Sequence, residues 1–195
     1  MKNSPFTLIL SVLVVCVVAA AGLAATYAIT APEIAAQEKA AEADALTGVL
    51  PDAATFEPVD ENVLLAAQKL AGDSKVDAVF RARGNSGEQI GWGIKVGSRG
   101  YGGYINLVLG LDMNGKVSGL TILSMNETPG LGTRIKTEPS FLEQYLGLPA
   151  GFSEKDVKKL DMISGATKSS RGVRNSVVVT SVVFEKVLKD AGEVR

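Results

Sequence analysis

The chain opens with a long apolar stretch that carries no charge. From Phe6 to Ile29, 24 consecutive residues lack a charged side chain. As a helix rising about 1.5 Å per residue, this stretch would reach roughly 36 Å, more than the hydrocarbon core of a bilayer at about 30 Å. The pattern therefore predicts a membrane-spanning helix close to the N-terminus.

Two other kinds of N-terminal segment share features with this one. A cleaved signal peptide has an apolar centre of only about 7–15 residues, although Ala19–Ala21 could serve as its cleavage site. A lipoprotein signal would place its lipid on Cys16, but the residue before that cysteine is Val15 rather than a small residue. The length of the apolar stretch favours a retained anchor over both.

The charges that flank the span say little about its orientation. Lys2 precedes the span and Lys39 follows it, so the positive-inside rule gives nearly a tie. The short tail before the span makes an arrangement with the N-terminus inside natural, without deciding the question.

After the span, the residues up to about position 72 favour helices and a connector. Pro32 could begin a new helix, and Glu33–Leu46 is rich in the helix formers Ala, Glu and Gln. We predict a helical stalk that continues the membrane helix. Pro51–Pro58 is typical of a connector, and Glu61–Ala71 predicts a short helix that ends at Gly72.

The middle of the chain alternates between apolar and polar residues, as strands do. A turn at Gly84–Gly87 and the pair Asn114-Gly115, a strong hairpin signal, separate neighbouring segments. Strands joined by such tight turns are antiparallel. The predicted strands are Lys75–Arg83, Gln89–Val96, Tyr104–Asp112 and Val117–Ser124.

Helical patterns return towards the C-terminus. A short helix is predicted over Ser140–Leu146 and a longer one over Gly172–Lys189. The longer helix would bury Val173, Val177, Phe184 and Leu188 along one side. The predicted fold class is α+β, an antiparallel β-sheet flanked by helices behind a single N-terminal transmembrane helix. The chain divides into a tail and anchor (1–30), a helical stalk and connector (31–72) and one domain (73–195).

Composition narrows the possible chemistry. The chain has no histidine, and its one cysteine, Cys16, lies inside the predicted span. This excludes disulfides, histidine-ligated haem, cysteine-ligated iron–sulfur clusters, zinc sites built on these residues, and Ser–His or Cys–His catalysis. Beyond the span there are 20 − 1 = 19 basic and 21 acidic residues, a net charge of −2, so no nucleic-acid-binding face is implied. Any redox role must use an organic cofactor.

One segment favours the binding of a phosphate group. In Asp161–Arg171, small and hydroxylated residues surround Thr167 just before the last helix. Gly165 and Ala166 leave the backbone bare, and Ser169 or Ser170 could cap the helix. The cations Lys168, Arg171 and Arg174 follow. The segment therefore suits a phosphate site around a hydroxyl, and equally an ordinary capped helix start.

Two further segments are rich in glycine. The sequence Glu-Thr-Pro-Gly-Leu-Gly at Glu127–Gly132 fixes an unusual backbone path, either for exposed amides or simply for a rigid turn. The sequence Gly-Tyr-Gly-Gly-Tyr at Gly100–Tyr104 could cover a flat ring or fill a gap in the sheet.

Taken together and in this order, the three segments resemble the FMN-binding domain of the G subunit of the Rnf electron-transport complex. The C subunit of the sodium-pumping NADH:quinone reductase has a related domain. This family has a Ser/Thr-Gly-Ala-Thr motif, a Glu-Thr-Pro-Gly-Leu-Gly turn and one N-terminal span, and the chain has all three. One departure is Met125-Asn126, where the family often has a histidine before the turn.

The resemblance implies that FMN is bonded covalently to Thr167 as a phosphodiester, placed there from FAD by a separate flavin transferase. In this sense the chain would be a phosphoprotein. By analogy, Tyr101, Thr128 and Leu131 would contact the flavin, with Leu131 packing on its ring. The full set of implied cofactor-binding residues is Thr167, Ser164, Gly165, Ala166, Lys168, Tyr101, Glu127, Thr128, Leu131 and Gly132.

The resemblance also implies a role and a location. The chain would relay electrons in a ferredoxin:NAD oxidoreductase complex coupled to Na⁺ or H⁺ translocation, with no catalytic residue and no metal of its own. Its partners would be the other membrane subunits, the flavin transferase during maturation and membrane lipid. The N-terminus would be cytoplasmic and the domain extracytoplasmic, on the inner membrane.

Three alternatives remain open. The chain could be a component similar to the C subunit of the quinone reductase. It could be an anchored sensor that binds flavin or another phosphate compound reversibly. A pilin-like structural protein would share the apolar N-terminal helix, but pilins have Glu at the position of Leu10 and Gly at that of Pro5.

Overall fold

The computed structural model describes residues 5–152 and 154–191. The chain forms two compact units, Met1–Ala41 and Glu42–Arg195. Helix α1, Pro5–Val49, is one continuous helix with Pro32 inside it. By length and composition it is the one helix of the described residues that could cross a membrane, and its apolar side chains from Phe6 to Ile29 are exposed. The helix therefore runs through Pro32 without a break, and no new helix begins there.

The second unit is built on a five-stranded sheet in which every neighbouring pair is antiparallel. The strand order follows the chain, as in the predicted meander. Three predicted strands have the observed bounds, and the second predicted strand extends three residues further, to Arg99. The strands are β1 Thr55–Pro58, β2 Lys75–Arg83, β3 Gln89–Arg99, β4 Tyr104–Asp112 and β5 Val117–Ser124.

Strand β1 differs from the sequence prediction, which makes its segment a connector. It pairs with β2 through Thr55 opposite Arg83 and Pro58 opposite Phe80. The strand has only four residues and contains a proline, which removes one donor from the ladder. A proline is tolerated on an edge strand, and β1 lies at the edge of the sheet.

Helices cover one face of the sheet. The long helix α6, Thr167–Val183, packs on β3 and β4 and continues as a π-helix at Phe184–Leu188. The four predicted core residues Val173, Val177, Phe184 and Leu188 are all buried, against strand residues that include Trp92. The other helices are α2 Glu61–Lys69, α3 Arg134–Thr137, α4 Pro139–Glu143, α5 Glu154–Val157 and α7 Lys189–Ala191.

The last turns of α1 cover the opposite face. Leu46 and Val49 are buried there. The strands make room for this helix end with a row of glycines that lie opposite one another in register, Gly93, Gly110 and Gly119. The hydroxyl of Ser118 donates a hydrogen bond of 2.9 Å to the carbonyl of Val49 and so satisfies one of the open carbonyls at the helix end.

We expect Gly119→Ala to weaken the packing of this helix end. An added Cβ would lie 2.8 Å from Val49 Cα and 3.0 Å from its carbonyl oxygen, which are backbone atoms that cannot move aside cheaply. Such overpacking costs about 1–3 kcal/mol of unfolding free energy. The buried Trp92 is the chain's one tryptophan, so its fluorescence during denaturant unfolding in detergent measures the change.

A matched control lies on the helix itself. Gly48 has no atom near enough to obstruct a Cβ. Because alanine is the better helix former, Gly48→Ala should leave stability unchanged or raise it by up to about 1 kcal/mol. Equal effects of the two substitutions would contradict the close approach at Gly119.

Candidate functional site

The three segments singled out in the sequence meet around one cavity of about 480 Å³. This volume lies within the range of roughly 300–1,000 Å³ that is usual for small-molecule sites. The lining residues are Tyr101, Glu127, Thr128, Leu131, Gly132, Gly165, Ala166, Thr167, Lys168 and Ser169. The structure thus brings together nine of the ten implied cofactor-binding residues. Ser164 does not line the cavity, and Ser169 joins the set.

Helix α6 begins at Thr167, five residues before the predicted start. Gly165 adopts a φ of +81°, a left-handed conformation that glycine takes without strain, and this turn directs the chain into the helix. Ala166 is the N-cap residue and makes no side-chain capping bond. The first hydrogen bond of the helix runs from the Ser170 amide to the Ala166 carbonyl. The amides of Thr167, Lys168 and Ser169 therefore lack helical acceptors and are available to an anion.

The prediction that Ser169 or Ser170 caps the helix is wrong, because both lie inside it and are buried. Ser170 Oγ accepts a hydrogen bond of 3.1 Å from the Ile163 amide. Ser169 Oγ donates a hydrogen bond of 2.5 Å to Glu127 Oε2. A serine close to the start of a helix is a typical capping residue, which explains the prediction. Because the helix starts at Thr167, both serines lie within its first turn instead.

The Thr167 side chain is exposed at the first helical position, beside the open amides. Ser164 is also exposed, and its carbonyl accepts a hydrogen bond of 3.1 Å from Arg134 Nη1. Of the serine and threonine hydroxyls that line the cavity, those of Thr167 and Thr128 are accessible, whereas that of Ser169 is buried and donates to Glu127. Thr167 alone of these combines access with the helix N-terminus.

Two large apolar side chains are exposed at the cavity. Tyr101 is 69% exposed and Leu131 is 50% exposed. Tyr101 lies in the loop Gly100–Gly103, which joins β3 to β4 and is closed by a hydrogen bond of 2.8 Å from the Gly100 amide to the Gly103 carbonyl. This loop does not fill a gap within the sheet. Exposed side chains of this kind suit a ligand with an apolar, flat part.

A single cation, Lys168, stands among the lining residues described for the cavity. Lys168 Nζ lies 5.4 Å from the centre of the Tyr101 ring, and Arg171 is exposed one turn further along α6. Arg174, predicted to join them, is instead buried beside Tyr145. Burial raises the pKa of Tyr145 to about 12, against a smaller lowering by the charge of Arg174. The Tyr145 side chain therefore stays neutral at physiological pH and does not neutralise the positive charge of Arg174.

Met125 and Asn126, which stand where the family often has a histidine, do not line the cavity. Met125 packs against the core, and Asn126 is exposed. Within residues 5–152 and 154–191, no cluster of three or more His, Cys, Asp or Glu side chains could hold a metal ion.

A match to a known protein family covers the three segments around the cavity. The family model described as the FMN-binding domain matches residues 100–180, which include all of them. Among solved structures, NqrC of Shewanella oneidensis is 19% identical, with a TM-score of 0.49 over 75% of this chain and 74% of that one.

Two curated relatives cover nearly the whole chain. The G subunit of the Na⁺-translocating ferredoxin:NAD⁺ oxidoreductase complex of Acetobacterium woodii is 30% identical over 94% of this chain and 93% of its own length. The G subunit of the ion-translocating oxidoreductase complex of Methanosarcina acetivorans is 32% identical over 85% of this chain and 86% of its own length. The chain therefore belongs to the family of G subunits of ion-translocating oxidoreductase complexes, and it carries that family's FMN-binding domain.

Proposed function

We propose that this protein is a membrane-anchored flavoprotein subunit that relays electrons within an ion-translocating ferredoxin:NAD oxidoreductase complex, through FMN held covalently on Thr167. The observation that carries the proposal is the position of Thr167. Thr167 lines the cavity with an exposed side chain, at the first position of α6 and beside helix amides without acceptors. The relatives from Acetobacterium woodii and Methanosarcina acetivorans supply the reaction class.

The cavity fits FMN in both its charge and its apolar surface. The open amides of Thr167, Lys168 and Ser169, the N-terminus of the α6 dipole and the Lys168 ammonium group would hold the phosphate. The exposed side chains of Tyr101 and Leu131 would hold the ring system. Bound there, a flavin supplies the capacity to accept and release electrons.

The covalent attachment has a simple chemical balance. Thr167 Oγ forms a bond to the flavin-side phosphorus of FAD, while the phosphoanhydride bond breaks and AMP leaves with the hydroxyl proton. The chain offers the acceptor hydroxyl, and a separate flavin transferase would catalyse the exchange. Because Gly165 has no side chain and Thr167 is exposed, the enzyme would have access to this hydroxyl.

The remaining residues of the cavity bind and position rather than catalyse. The two charged side chains in its lining are Glu127, which is buried and hydrogen-bonded to the protein, and Lys168. Because the Glu127 carboxylate already accepts hydrogen bonds from the protein and Lys168 is a cation, neither side chain is a free general base. We therefore expect no substrate turnover when the chain is isolated from its complex.

The proposal includes the location of the domain. The length and composition of helix α1 support a membrane anchor. A flavin that dissociated outside the cytoplasm could not be recaptured, and a covalent bond would prevent this loss. We propose that the N-terminus is cytoplasmic and that the domain lies outside, as a single-pass protein among the other membrane subunits and lipid. The relatives favour this proposal over a pilin-like fibre protein.

Membranes that contain the other subunits but lack this chain would test the electron relay. Wild-type chain, matured with its flavin transferase, should restore reduction of NAD by reduced ferredoxin. Thr167→Ala should not restore it, and the purified chain by itself should reduce no NAD. Equal rates with wild type and Thr167→Ala, at equal amounts of assembled complex, would contradict the proposed relay.

A further inference from the structure

One buried carboxylate connects all three segments of the cavity. Glu127 is 7% exposed. Its Oε1 accepts hydrogen bonds from the amides of Tyr101 at 3.0 Å and Gly102 at 3.1 Å. Its Oε2 accepts the 2.5 Å bond from Ser169 Oγ. The side chain thus starts in the Glu-Thr-Pro-Gly-Leu-Gly turn and reaches both the β3–β4 loop and the first turn of α6.

Glycines line the space that this carboxylate occupies. A Cβ on Gly132 would lie 2.7 Å from Glu127 Oε2 and 2.9 Å from Ser169 Oγ. A Cβ on Gly100 would collide with Glu127 Oε1. The glycines of the two glycine-rich segments therefore admit the same side chain, which gives a physical reason for their occurrence in one sequence.

Within the part of the chain that the structure describes, the β3–β4 loop makes no other hydrogen bond to the rest of the cavity. Among the described residues, the amides of Tyr101 and Gly102 bond to Glu127, and the one other bond of the loop, from Gly100 to Gly103, is internal. The Lys168 ammonium group above the Tyr101 ring is a weaker, more flexible contact. Loss of the Glu127 carboxylate would release the loop that carries Tyr101.

We propose that Glu127 is a positioning residue that assembles the cofactor site, rather than a residue that holds the flavin directly. Its hydrogen bonds join the β3–β4 loop to the N-terminus of α6. They thereby fix the position of Tyr101 relative to Thr167. Both carboxylate oxygens are already engaged by protein donors. The functional part of this inference rests on the proposed flavin site, whereas the assembly of the loop does not depend on any ligand.

Substitutions can separate hydrogen bonding from charge. Glu127→Gln removes the charge but keeps Oε1 as acceptor for both amides, and its new amide group can donate to Ser169 Oγ. Glu127→Ala removes all three bonds. Ser169→Ala removes only the bond to α6. Glu57→Ala, at an exposed ion pair with Arg83 on the sheet edge, is the matched control.

Hydrogen exchange of the full chain without flavin, in detergent, tests the assembly directly. The Tyr101 and Gly102 amides should be protected in wild type, Glu127→Gln and Glu57→Ala. They should exchange about tenfold faster or more in Glu127→Ala, because bonds to a buried charged acceptor are strong. Unchanged protection in Glu127→Ala, or a loss in Glu127→Gln as large as in Glu127→Ala, would overturn the proposal.

Chains matured with the flavin transferase test the consequence for the cofactor. In Glu127→Ala, the fluorescence anisotropy of attached flavin should fall towards that of free FMN, whereas Glu127→Gln should stay close to wild type. If Glu127→Ala does not fold, as judged by Trp92 fluorescence, Ser169→Ala carries the test and should show a smaller fall. Wild-type anisotropy in every folded variant would defeat the positioning role. Absence of flavin from wild type would instead defeat the proposed function and leave the exchange experiment valid.

Discussion

A chain with Thr167→Ala should carry no covalent flavin after expression with its flavin transferase. The substitution removes the hydroxyl that would form the phosphodiester. It leaves the start of α6 intact, since alanine is a good helix former and the N-cap residue is Ala166 rather than Thr167. Flavin fluorescence of the polypeptide in a denaturing gel should therefore fall to background. Thr167→Ser retains a hydroxyl at the same position and should retain the fluorescence, at least in part.

The neighbouring hydroxyls make this prediction specific. Ser164 is exposed three residues earlier, and Thr128 lines the same cavity. Fluorescence that persists in Thr167→Ala would move the attachment to one of these residues and contradict the assignment of Thr167. Thr137→Ala, at the exposed end of α3 and outside the cavity lining, is the control and should label like wild type.

The second large effect is expected from Gly102→Ala. An added Cβ on Gly102 would collide with the carbonyl oxygen of Asn126, a backbone atom of the segment that leads into Glu127. The loop must then move away, and the amide bonds to Glu127 stretch or break. We expect flavin attachment to fall about tenfold or more, in line with the loss of hydrogen bonds to a charged acceptor.

The neighbouring glycine provides a closely matched comparison. A Cβ on Gly103 would meet only Asn126 Cβ, at an ordinary contact distance of 3.9 Å. Gly103→Ala should therefore label like wild type, as measured by the flavin-bearing fraction in intact-protein mass spectra. A similar loss in both variants would show that the loop tolerates no side chain at all, and that the contact with Asn126 is not the cause.

The sheet could be predicted from the sequence because its strands alternate clearly and end at strong turn signals. The turn at Asn114-Gly115 and the alternation in Tyr104–Asp112 depend on neighbouring residues only. Strand β1 could not be predicted in this way, because four residues that include Pro58 give no periodic signal. Its pairing with β2 is a tertiary contact.

The segments that form the site could be predicted from the sequence, but the hydrogen bonds between them and the start of α6 could not. The resemblance grouped residues that the structure brings around one cavity, from Tyr101 to Lys168. The role of Ser169 was missed, because its partner Glu127 lies 42 positions earlier in the chain. The start of α6 was missed because two serines near it imitate a cap. Local patterns carry no information about such long-range hydrogen bonds.

The attachment of flavin to Thr167 is tested most directly by peptide mapping of the wild-type chain isolated from membranes and denatured in acid. We predict that one peptide, containing Thr167, gains the mass of FMN less water, and that fragmentation places the gain on Thr167. Release of all yellow colour by the acid, as expected of a reversible flavin sensor, or a gain placed on another residue such as Ser164, would contradict the proposal.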